Sequence, residues 1–111
     1  MNIDTTILDG LVVAAVSGEI DSHTAPEAQS QLVPLIEKGD LILDMENITF
    51  LSSAGLRILL VIYRQAETIN RKIALAGLND TVKDTMEITG FLKFFTVCSN
   101  KEEALEALKG S

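Results

Sequence analysis

The short run Leu41–Asp44 carries no polar residue before its final aspartate and is too brief for a helix. Such a run reads as a strand buried on both faces, which requires neighbouring strands at its sides and helices above and below. Lys72–Ala76 gives another strand, opened by a polar break and closed by Gly77. Phe94–Cys98 reads as a last strand. At the other end, Ile3–Leu8 and Leu11–Ser17 flank Asp9-Gly10, a pair that supplies the φ > 0 conformations of a two-residue hairpin.

Helices are expected between these strands. Thr24 and Glu27 have capping-box spacing, and Ala25, Ala28, Leu32, Leu35 and Ile36 follow at steps that place them on one helix face, closed near Gly39. Pro34 falls inside this segment, where it costs about 3 kcal/mol in a regular helix, so a kink or early fraying is expected there. A second helix runs from Ser53 to about Asn70. Asn79 or Asp80 caps a third, which turns Val82 and Met86 inward and ends at Gly90. Ser99 or Asn100 caps a terminal helix with Glu102 and Glu103 in its first turn and Leu105 and Leu108 on its inner side. Alternation of this kind predicts an α/β fold over residues 1–111, one domain with a mixed, mostly parallel sheet, an N-terminal hairpin and about four helices packed against it.

Composition excludes several roles. A net charge of −7, with no local run of Lys or Arg, argues against nucleic acid as a partner. No apolar run, Ile58–Tyr63 included, exceeds six residues, far below the roughly 20 that span a bilayer, so the expectation is a cytoplasmic protein without membrane insertion. One cysteine, Cys98, allows no internal disulfide, and one histidine, His23, gives no ligand cluster, so neither metal nor cofactor is expected.

Ligands and partners of parallel crossover units usually meet the loops at the carboxyl ends of strands, where helix N-termini also point. Two such loops stand out: Asp21–Thr24, with Ser22 and His23 between, and Met45–Ser53, leaving the strand that ends at Asp44. If their strands are neighbours, Asp21, Asp44 and the serines share one edge of the molecule. Ser52 and Ser53 each fit a helix cap. Neither fits a nucleophile, because no general base or oxyanion site is paired with them and "SSAGL" is not the nucleophile elbow. No Gly-rich phosphate loop is present either, so the chain is not expected to be an enzyme. A third reading makes a serine the substrate of another enzyme, beside an apolar strip on the next helix to which Leu56, Leu59, Leu60 and Tyr63 contribute; burial of that strip under neighbouring helices stands against it.

The segments "SGEIDSHTAPE", "LILDMENITFLSSAGLRILL" and "VKDTMEITGFLKFF" resemble, in order and spacing, the three signature regions of the STAS domain in the form of bacterial anti-sigma factor antagonists, over about residues 5–108. The resemblance implies a monomer that binds an anti-sigma factor with serine kinase activity, is released when that kinase phosphorylates one serine, and is restored by a metal-dependent serine phosphatase. Laid on the family's phrase, "FLSSAGL" puts Ser52 where Asp is usual and Ser53 on the phosphate acceptor. Gly55 and Leu56 match themselves, and Asp21 and Asp44 match the family's loop positions. Asp21, Ser22, His23, Thr24, Asp44, Ser52, Gly55, Leu56, Arg57 and Leu60 are thereby implied as the partner-binding set. Related domains without a working acceptor serve as accessory subunits of transport or signalling assemblies, and the serine in place of Asp at position 52 keeps that alternative open.

Overall fold

Asp9 and Gly10 both adopt left-handed backbone, at φ 54° and 79°, in the computed structural model, which describes residues 1–109. They close the hairpin of β1 (Asn2–Leu8) and β2 (Leu11–Ile20), paired antiparallel from Asn2↔Ser17 to Leu8↔Leu11. β3 (Leu41–Leu51), β4 (Ile73–Ala76) and β5 (Thr96–Cys98) follow in parallel, so the five strands lie in sequence order. The helices are α1 (Ala25–Leu32), α2 (Ser53–Thr68), α3 (Asp80–Ile88) and α4 (Lys101–Lys109).

Alternation along the strands divides the core. Val12, Ala14, Val16, Leu41, Leu43, Met45, Ile73 and Leu75 pack against α1, α2 and α3, whereas Leu11, Val13, Ile42, Ala74 and Ala76 pack against Ala104 and Leu108 of α4. Leu59 and Ile62 of α2 are 2% and 0% exposed, and burial of each contributes about 2 kcal/mol of transfer free energy. That inward face holds α2 on the sheet and fixes where its N-terminus falls.

Several elements differ from expectation. β3 does not end at Asp44 but continues to Leu51, because Asn47–Leu51 pairs with Ser17 and with the equally unexpected extension of β2, Gly18–Ile20. Two register shifts, between Ala15 and Ser17 and between Gly18 and Glu19, break the period-2 pattern that identifies a strand in sequence. Only Leu41–Asp44 also pairs with β4, which is why that portion alone looks apolar on both faces. α1 stops at Leu32, and Val33–Glu37 is a 3-10 turn with Pro34 at its second position, where the missing amide is harmless. The expected capping box is not formed: the Thr24 hydroxyl donates to the Glu19 carbonyl instead of accepting from the helix. Phe94 belongs to a 3-10 turn, Leu92–Phe94, and not to the last strand. Asn79 and Asn100 do cap as expected, accepting from Val82 N at 2.8 Å and Glu103 N at 2.8 Å.

Candidate functional site

The end of β3 hands directly to α2. Ser52 N donates to Ile20 O at 2.9 Å, prolonging the β2–β3 pairing by one residue and leaving Ser52 extended at φ −83°, ψ 176°. From there its hydroxyl accepts Gly55 N at 3.3 Å and its carbonyl accepts Leu56 N at 2.9 Å, so Ser52 is the N-cap. Ser53 is the first helical residue. It is exposed, and among the described residues its hydroxyl has no hydrogen-bond partner. The two serines are thus distinguished by where strand pairing ends.

Gly55 makes this junction possible. A Cβ there would stand 2.5 Å from Leu51 Cδ1 and 2.8 Å from the Ile20 carbonyl oxygen, so only glycine lets α2 sit on the end of β2. Gly55 and Leu56 are buried, the latter at 4% exposure, and both position the helix start from beneath. Of the four residues of the apolar strip, Leu56 and Leu59 are buried, whereas Leu60 and Tyr63 are half-buried, so the strip is partly covered and partly outside. Arg57, one turn beyond Ser53, is exposed.

Ile20 leads straight into the second loop, which therefore lies beside the start of α2. Asp21 Oδ1 accepts His23 N at 2.8 Å and Thr24 N at 3.0 Å, and Thr24 Oγ1 accepts Asp21 N at 3.0 Å while donating to Glu19 O at 2.9 Å. The Thr24 and His23 amides hold the Asp21 carboxyl below its ordinary range. Ser22 and His23 face outward from this closed loop.

Asp44 does not join them. Its strands are neighbours as supposed, but its register partner in β2 is Ala15, six residues before Asp21 and roughly 20 Å away along a strand. There it accepts Glu46 N at 3.2 Å and supports the first register shift. Sequence reasoning missed Phe50, which is 50% exposed and two residues before Ser52 along extended chain, hence on the same side. Its apolar character was the only signal, and the irregular strand removed the alternation that would have marked it as outward. No cluster of three or more metal-ligating side chains occurs among the described residues.

The model of the family described as the STAS domain matches residues 2–104. A Bordetella bronchiseptica protein named as an anti-sigma factor antagonist, BtrV, is 31% identical over 98% of this chain and 96% of its own length. Among solved structures, an anti-sigma factor antagonist from Mycobacterium paratuberculosis superposes with a TM-score of 0.88 at 26% identity, over 97% of this chain and 93% of its own. The anti-sigma factor antagonist SpoIIAA in its unphosphorylated form gives 0.82 at 20% identity, over 99% and 98% of the two chains. Bacillus SpoIIAA in its phosphorylated form gives 0.73 at 19%, over 96% and 99%.

Proposed function

The chain belongs to the STAS domain family, and from that premise we propose that it is an anti-sigma factor antagonist switched by phosphorylation of Ser53. The observation that carries this reading is the free, exposed hydroxyl of Ser53 at the first position of α2, with capping delegated to Ser52. In the unphosphorylated state the antagonist binds an anti-sigma factor that is also a serine kinase, freeing a sigma factor. The Asp21–Thr24 loop with its outward Ser22 and His23, Phe50 and the first turn of α2 form the face it offers, with Arg57 and Leu60 at its margin.

Transfer of a phosphoryl group to Ser53 adds about −1.5 to −2 charges and three acceptor oxygens at a helix N-terminus. The helix dipole favours an anion there, and Arg57 stands one turn away to pair with it, so the fold tolerates the change. The effect therefore falls on the interface, where a misplaced charge costs several kcal/mol; a full switch from 1:99 to 99:1 needs about 5.5 kcal/mol. Ser52 in place of the family's usual Asp keeps the cap and omits one carboxylate beside the acceptor, so the reading kinase works on a less negative site.

Mass spectrometry after incubation with the cognate kinase and ATP tests this. Phosphate on Ser53, removed by a metal-dependent serine phosphatase, is the expected result. Phosphate on Ser52 overturns the site assignment, and no phosphate at all favours an accessory subunit of a transport or signalling assembly.

A further inference from the structure

At the far end of α2, three rings converge: Tyr63 lies 5.5 Å from Phe94 and 5.6 Å from Phe95 between ring centroids. The groove beside them, about 330 Å³, is lined also by Glu67, Arg71, Lys72 and Lys93. Three of the chain's nine Lys and Arg side chains thus line one groove together with Glu67, while the Asp40 carboxylate accepts the Lys72 amide at 2.9 Å beside it, in a molecule of net charge −7. Part of this set is already committed. Arg71 donates to Ile36 O at 2.8 Å and Glu37 O at 3.0 Å, and Glu67 accepts the Tyr63 hydroxyl at 3.1 Å. Lys72 and Lys93 are exposed, and among the described residues neither ammonium has an ion-pair partner. The Lys93 ammonium stands 5.7 Å from the centroid of the Phe94 ring, which is 41% exposed.

We propose that this groove is a second docking surface, occupied by an acidic peptide segment of a partner protein that covers Phe94 with one apolar side chain and faces Lys72 and Lys93 with carboxylates. Charge complementarity selects the occupant. An acidic segment is repelled by the molecule's overall net charge and meets three cations together in this groove. The groove is open to solvent, so it leaves a small molecule largely in water, whereas an extended peptide lies across it and covers the ring. Tyr63 is ten residues beyond Ser53, about 15 Å along the helix, and one turn beyond Leu60 at the margin of the first face, so the groove lies clear of the phosphorylation site.

Tyr63 is the sole tyrosine and the chain has no tryptophan, so tyrosine emission reports this groove directly. The probe is a short synthetic peptide of Glu and Asp around a central Leu-Leu pair. Saturable change in Tyr63 emission is expected, weakened on the order of tenfold by Lys93→Glu, by Lys72→Glu and by removal of the leucine pair, and weakened further by salt. Lys93→Gln and Phe94→Ser serve as second variants should a charge reversal disturb folding, with circular dichroism as the check. Absence of a response at millimolar peptide, or an equal response to a Lys-substituted peptide, overturns the proposal. Equal binding by polyglutamate or by ATP also overturns it, because the groove is then a plain anion patch. Ser53→Asp is expected to leave this binding unchanged, so the test stands or falls apart from the switch at the other end of α2.

Discussion

The loop Asp21–Thr24 and the first turn of α2 meet at Ile20, yet they use their polar groups in opposite ways. In the loop, the Asp21 carboxylate, the Thr24 hydroxyl and the amides of residues 21, 23 and 24 are tied to one another or to Glu19. In the helix start, Ser52 alone is tied, while Ser53 and Arg57 remain exposed and without side-chain partners among the described residues. A recognition face needs both kinds of segment. A self-satisfied loop keeps its shape whatever happens beside it, and an unsatisfied hydroxyl can change chemically without dismantling anything.

The largest effect that sharpens this contrast is on binding. Ser53→Asp is expected to weaken association with the anti-sigma factor by about 4 kcal/mol, on the order of a thousandfold, as measured by titration calorimetry, while Ser53→Ala keeps binding but is no longer switched off. Loss of folded structure in the Asp variant would break the contrast, since Ser53 would then be structural. Next in size, Gly55→Val should cost about 2 kcal/mol in urea unfolding, because the added carbon meets the fixed Ile20 carbonyl and lifts the helix start. Ser52→Ala should cost about 1 kcal/mol through the lost cap, against less than about 0.5 kcal/mol for Ser53→Ala, and Ser52→Asp should restore the cap. Equal losses at the two serines would contradict the assignment of roles.

The smallest effect is that of pH on the loop. Asp21 has its carboxyl held below the ordinary value of 3.8, so its support is complete above that value and disappears as pH falls through the lowered, folded-state one. Protection of the His23 and Thr24 amides, relative to their intrinsic exchange rates at each pH, should therefore fall on acidification and lose this dependence in Asp21→Asn. A loop equally protected throughout that range would mean that the carboxylate does not hold it.

Much of the architecture was legible because it rests on local rules. Asp9-Gly10 dictated a hairpin, Pro34 ended a helix, and Asn79 and Asn100 advertised caps. The second half of β3 was hidden, since Met45–Leu51 is partly polar and twice out of register, and with it went the outward place of Phe50. The candidate site was legible as a pair of loops, one of which proved to be strand. Asp44 matched a motif position yet sits far from Asp21, a distance that no local pattern encodes.

What the amino-acid sequence determined by itself was the list of elements, the family to which they belong and the short phrase that holds the serines, because periodicity, turn chemistry and motif spacing are properties of neighbouring residues. What the tertiary structure alone decided was which serine caps and which stays free. That depends on Ile20 O reaching Ser52 N, and on Gly55 admitting α2 to the end of β2. Both are contacts between segments some thirty residues apart, whose register is set by the packing of the whole sheet and by no residue within the phrase itself.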